Sequence, residues 1–369
     1  MTARNKPPFR ADHVGSFLRP RSLLDLRRSV DAGEAPQEQL RAHEDECIRE
    51  LVRMEEEIGL QAITDGEFRR ETFHGDFISK LRNVQFKQLF KPGTTKAGGH
   101  EAPFVAVVSG KVERPAEGIE VDNFRFVQSL TERTAKQTIP SPTMTHFRGG
   151  RDAIDHEAYP ELGAFFSDLA RAYREEVNGL AAAGCRYLQM DDTNLAYLCD
   201  DSMREQAIAR GENVEELPHA YARLINDSIA GRPDDMAVCV HLCRGNAKSR
   251  WFAEGGYEPV AEAIFNEMDV DGFFLEYDDE RSGDFAPLRF LPKGKAVVLG
   301  LVSTKWNALE DKDAIKRRID EASRYAPLEQ LCLSPQCGFA SVSEGNEISA
   351  DFKKRKLSLV LEVAEEVWG

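Results

Sequence analysis

The residues best equipped for chemistry stand in the run VCVHLC, positions 238–243. As a strand, this run sends His241 and Cys243 to the same side, ~6.6–6.8 Å apart along the backbone. A zinc ion with ligand bonds of ~2.0–2.3 Å can bridge that gap. Two more ligands are available at the ends of other strand-like runs: Glu276 in FFLEYD and Cys337 in SPQCGF. His241, Cys243, Glu276 and Cys337 make a mixed nitrogen, sulfur and oxygen tetrahedron suited to Zn2+. Cys239 shares the face of His241 one layer deeper. The plainer alternative makes the cysteines small core residues and His241 a hydrogen-bonded core histidine; convergence of all four favours the metal.

Other runs finish on groups that hold charge or protons: Ser16, Glu67, the pair Asp191 and Asp192, and Lys305. Adjacent strand residues face opposite ways, so only one of the two aspartates can look inward. A carboxylate there either serves the start of the next helix or holds an ammonium group. Glu67 could equally pair with Arg69 or Arg70. Glu276 could belong to a solvated acidic turn, although the apolar GFFL before it argues for a buried strand end. Lys305 is either a proton donor or half of a salt bridge to a rim carboxylate.

Eight strand-like runs must position these residues: Asp12–Phe17, Ala62–Glu67, Gln137–Pro142, Tyr187–Asp192, Met236–Cys243, Gly272–Tyr277, Ala296–Thr304 and Gln330–Cys337. Helical stripes lie between most of them. In Leu162–Leu180 the apolar residues Leu162, Phe165, Phe166, Leu169, Tyr173, Val177 and Leu180 recur with a period near 3.6. Gln37–Ile58 and the closing segment through Leu357, Val360, Leu361, Ala364 and Val367 do the same. Alternating strands and helices predict an α/β protein with a (β/α)8 TIM barrel, one catalytic domain over 1–369. Such barrels place active sites at the C-terminal strand ends, where these residues fall. Two additions are expected. One is an N-terminal helical extension around 20–58; the other is a β-hairpin insertion at about 80–129, between strands 2 and 3, carried by FVAVVSGKVE. Within it, Lys80, Arg82, Lys87, Lys91 and Lys96 form a basic stretch without an acid, either a solvated loop or a platform for an anionic part of a substrate.

Composition bounds the function classes. The chain has 369 residues, 48 basic against 63 acidic, and a formal charge of −15. That balance argues against nucleic acid or an anionic membrane as the main partner. At 41% apolar residues it can bury a large core. Seven cysteines, an odd number thinly spread, suggest reduced thiols or metal ligands in place of disulfides. The basic start leads into no apolar stretch, and the longest apolar run, Ala296–Val302, is far short of the ~20 residues that cross a bilayer. A cytoplasmic enzyme is expected.

Taken together, these patches, from DHVGSFLRP at 12–20 through SGKVERP at 109–115 to CGF at 337–339, resemble the C-terminal catalytic barrel of cobalamin-independent methionine synthases. The likeness is greatest to the short single-barrel relatives. The resemblance implies zinc bound by His241, Cys243, Glu276 and Cys337. It implies that Ser16 meets the carboxylate of homocysteine and that Glu67 and Asp191 meet its ammonium. The implied reaction is transfer of a methyl group to the thiol, giving methionine, by a thiolate that the metal keeps deprotonated. Three departures stand out. The second barrel of the long enzymes, which helps bind polyglutamated folate, is missing. Phe147 or Arg148 occupies the position of a pterin-stacking tryptophan. Lys305 replaces a histidine proton donor, and a lysine needs a depressed pKa for that task. The expected partners are therefore a small-molecule thiol and a methyl donor: a 5-methyltetrahydrofolate type, a methylated corrinoid protein or a simpler methylated molecule. The alternatives are an alkyl-thiol transferase of the epoxyalkane–coenzyme M type and a non-catalytic zinc- or thiol-binding relative. A sulfonated thiol without an amine would call for cationic side chains where Glu67 and Asp191 stand.

Overall fold

Runs that are apolar on both faces, such as AVVLGLV, become strands buried on both sides, as parallel strands flanked by helices must be. The computed structural model describes residues 4–88 and 104–369. Its strands are β1 (Ala62–Ile63), β2 (Arg82–Gln88), β3 (Phe104–Glu113), β4 (Thr134–Ala135), β5 (Gln137–Pro140), β6 (Tyr187–Asp192), β7 (Ala237–Leu242), β8 (Gly272–Glu276), β9 (Ala296–Val302) and β10 (Leu331–Pro335). Strands β5 to β10 form one parallel sheet in chain order. β1 pairs in parallel with β4, one residue before β5. At the other edge Ala11 bridges Leu333 of β10 in parallel, with Asp12 N donating to Leu333 O at 3.0 Å and Leu333 N to Arg10 O at 2.8 Å. The N-terminal segment reaches β1 through Thr64 Oγ1 to Gly15 O at 2.8 Å and Phe17 N to Gly66 O at 3.0 Å. All eight expected runs thus take their places in (β/α)8 order.

The first two runs are shorter as strands than their sequences suggest. Gly15 has φ +122°, Gly66 +65° and Glu67 +59°. A left-handed backbone cannot continue a ladder, so extension stops early on both. Helices cover the outside. Gln37–Ile58 closes on Gly59 at φ +107°, whose N–H returns to Glu55 and Glu56 carbonyls. Leu162–Ala182 buries Phe165, Leu169, Tyr173, Val177 and Leu180. Leu217–Ile229, Lys312–Ala322 and Ala350–Trp368 follow the same logic. Two helices, Arg21–Asp31 and Gln37–Ile58, precede β1 as the expected extension. The expected insertion is the antiparallel pair β2 and β3. In the basic stretch, Lys80 approaches Glu120 at 3.9 Å and Arg82 approaches Glu113 at 3.5 Å, while Lys91 and Lys96 lie outside the described residues.

Inside the barrel, Phe9, Val14, Ala62, Tyr187, Cys239, Phe274, Val298 and Cys332 pack as a floor. The buried Lys136 ammonium crosses it, 3.1 Å from Asp12 Oδ1 and 4.2 Å from the Phe274 ring centre. Among the described residues, no helix is long and apolar enough to cross a membrane.

Candidate active site

Parallel register brings the chemistry together. Asp191 lies beside His241, and His241 beside Phe274, two residues before Glu276. Cys337 follows β10 by two residues. His241, Cys243, Glu276 and Cys337 are buried, and one donor atom from each lies within 4.8 Å of the others. The two sulfurs are 3.4 Å apart, and all seven cysteines are free thiols. His241 Nδ1 faces Phe274 O at 3.3 Å, which assigns its proton there. Nε2 has no hydrogen-bond partner. An imidazole nitrogen with no well-formed hydrogen bond, beside two sulfurs and a carboxylate, suits a divalent cation with a preference for nitrogen and sulfur.

Glu276 is anchored at both oxygens. Arg244 N donates to Oε1 at 2.9 Å, and the Arg281 guanidinium donates to Oε2 at 3.0 Å. Protons redistribute within the group. The hydrogen bond from Cys243 holds the Cys337 thiol well below its usual range, and the same bond with burial pushes Cys243 well above it. Burial pulls His241 down, but the Cys337 sulfur outweighs it and His241 rises to about 9. The Cys337 thiolate and a carboxylate at this separation attract positive charge, and a metal cation competes with the protons for that place.

Beside the cluster stands a pair of buried carboxyls. Burial raises Glu67 to about 7, opposed by Arg70 and reinforced by Asp191. Burial raises Asp191 to about 6, opposed by His241. Glu67 Oε1 accepts from Thr138 Oγ1 at 3.0 Å and lies 3.5 Å from Arg70, whereas Oε2 has no partner. Asp191 Oδ1 accepts from Gln189 Nε2 at 2.7 Å. The two readings of the adjacent aspartates divide between them: Asp191 faces inward, and Asp192 accepts from Leu195 N at 2.9 Å in the first turn of helix Asn194–Tyr197. Ser16 is buried against the turn after Cys337, where a Cβ on Gly338 would sit 1.9 Å from Ser16 Oγ. Glycine is needed there for that approach.

Two expected residues sit otherwise. Lys305 takes the salt-bridge alternative, with Nζ 2.7 Å from Asp278 Oδ2 and both side chains buried. Phe147 is buried in the core, its ring 6.3 Å from Tyr197 and under the Arg210 guanidinium at 5.4 Å. At 3% exposure it leaves little ring surface open to a flat ligand. Arg148 instead approaches His74 Nε2 at 3.5 Å. Sequence reasoning passed over Arg281 and Asp278, which flank Glu276. They sit in the charged run EYDDER, and nothing in its spacing separates the buried charges from the solvated ones.

Known proteins bear on this geometry. Residues 9–364 match the family model described as the cobalamin-independent synthase catalytic domain. The uncharacterized protein YxjH of Bacillus subtilis is 43% identical over 99% of this chain and 96% of its own. A Listeria monocytogenes protein, solved as a candidate vitamin-B12-independent methionine synthase, superposes with a TM-score of 0.80 at 38% identity, covering 99% of this chain and 100% of that one. A 5-methyltetrahydropteroyltriglutamate–homocysteine methyltransferase of Thermosynechococcus vestitus is 29% identical over 90% of this chain but only 40% of its own.

Proposed function

Because the chain belongs to the cobalamin-independent synthase catalytic-domain family, we propose that it is a zinc-dependent S-methyltransferase acting on homocysteine to give methionine, with residues 1–369 as one catalytic domain. The observation that carries this reading is the buried quartet His241, Cys243, Glu276 and Cys337, with donor atoms within 4.8 Å and a partnerless His241 Nε2. Zinc held there would lower the pKa of an incoming thiol and keep it as thiolate at neutral pH.

The chain's own residues supply binding and orientation. Glu67, with one free oxygen, and Asp191 hold the substrate ammonium; Ser16 meets its carboxylate. The buried walls keep water from the sulfur. The sulfur forms a bond to the methyl carbon while the donor's bond to that carbon breaks, the leaving atom keeping the electron pair. With a 5-methyltetrahydrofolate-type donor that atom is a nitrogen and takes up a proton from solvent, since Lys305 is engaged with Asp278. The Thermosynechococcus relative is named for such a donor, and the chain matches less than half of that protein, so donor choice is the finer part of the proposal. Cytoplasmic location fits the free thiols.

The test is turnover of homocysteine with a panel of methyl donors, alongside zinc analysis. Methionine formation that depends on zinc and disappears with His241→Ala is expected, together with loss of bound zinc. Full activity in zinc-free protein, or turnover only of a sulfonated thiol, would sink the reading.

A further inference from the structure

Four protein donors fill a tetrahedral zinc, so a substrate sulfur needs one of them to yield. The surroundings of the four differ. Beyond the quartet, the two sulfurs and the imidazole face no cation among these contacts: the Ser341 hydroxyl lies 3.7 Å from Cys337 Sγ, the Phe274 carbonyl 3.3 Å from His241 Nδ1, and the Asp191 carboxylate also acts on the imidazole. Glu276 has cations waiting: Lys305 and Arg281 both favour its charged form, and Arg281 is the one hydrogen-bonded to it. Arg281 Nη2 donates to its Oε2 at 3.0 Å while Arg244 N donates to Oε1 at 2.9 Å. The guanidinium does not depend on Glu276 for its own position. It also pairs with Asp278 at 3.2 Å and with Asp279, and lies 5.4 Å from the Trp251 ring centre. Asp278 is fixed in turn by Lys305 at 2.7 Å. Both Glu276 and Arg281 are shielded from water, at 0% and 6% side-chain exposure. A carboxylate released from a metal here stays compensated, whereas a released thiolate would not.

We propose that Arg281 is a positioning residue that receives the Glu276 carboxylate when the substrate sulfur takes its place, and so sets the affinity for the thiol. This rests on the zinc reading above. The link runs Glu276, Arg281, Asp278, Lys305, and ties ligand release to a cation at the rim.

The test uses the full chain loaded with zinc, as wild type, Arg281→Met and Arg281→Lys. Zinc affinity is measured by competition with a chromophoric chelator and homocysteine binding by calorimetry. Arg281→Met should keep zinc at least as tightly as wild type while its homocysteine Kd rises about tenfold or more, because release would leave a buried carboxylate without its hydrogen-bonded cation. Arg281→Lys, which keeps the charge, should recover most of that loss. Should Arg281→Met not fold, Arg281→Gln carries the same expectation. A fall of roughly 10–100-fold in zinc affinity, the usual result of removing a partner that only orients a ligand, overturns the proposal, as does an unchanged homocysteine Kd. Wild type that binds no zinc, or His241→Ala that binds it as well as wild type, marks failure of the zinc reading itself and takes this inference with it.

Discussion

The two buried carboxyls, Glu67 and Asp191, are tuned by burial before they are tuned by their neighbours. Glu67 is raised to about 7 chiefly by desolvation, with Arg70 opposing. An ammonium group binds its charged form, which is lost as pH falls through that value. With homocysteine varied, kcat/KM should therefore decline below about pH 7 with an acid limb, and Glu67→Gln should move the limb down to the range where Asp191 protonates, about 6 or lower, while raising KM about 10- to 100-fold, the worth of a charged hydrogen bond. A flat profile from pH 6 to 8 would detach Glu67 from substrate binding. The clustering of the four candidate ligands was legible residue by residue, because strand alternation and strand-end position suffice to place His241 and Cys243 together. Glu67 was legible as a candidate, but its left-handed φ of +59° was not. Arg281 and Asp278 were illegible, since a short run of charges reads the same whether it is solvated or folded under a loop.

Among the elements, strand ends and the turns just past them define the site. Asp191 and Asp192 show how β6 divides its last two side chains between inside and outside. Asp191→Asn should weaken homocysteine binding and leave unfolding in denaturant unchanged. Asp192→Ala should lower stability by about 1–2 kcal/mol through the lost Leu195 N–H bond in the first helical turn. The opposite assignment of effects would reverse their roles. Gly338 is the corresponding device after β10: a Cβ there meets Ser16 Oγ at 1.9 Å and Ser16 Cβ at 3.0 Å. Gly338→Ala should cost ~1–3 kcal/mol by overpacking, seen as a lower denaturation midpoint, and raise the homocysteine KM by displacing Ser16. An unperturbed midpoint would show that the turn relaxes freely. The eight strand positions were readable from apolar runs, but the truncation of the first two followed from positive-φ residues whose effect needs the backbone to be seen.

At the scale of the molecule, one barrel with a helical extension and a hairpin insertion carries the whole site. The four candidate ligands come from the ends of β7, β8 and β10, so a metal bound there would tie together strands that are not all neighbours. Ligand binding to the native state alone stabilises it by mass action, ~4 kcal/mol at a thousandfold excess over Kd, and chelation should lower Tm measurably. The central claim is that zinc holds the substrate sulfur, and the zinc X-ray absorption edge reads that directly. Wild-type protein should show zinc bound by two sulfurs with nitrogen and oxygen neighbours, from Cys243, Cys337, His241 and Glu276. Adding homocysteine should raise the count to three sulfurs at the expense of oxygen. A sulfur count that stays at two with homocysteine bound, or protein that takes up no zinc, would contradict it.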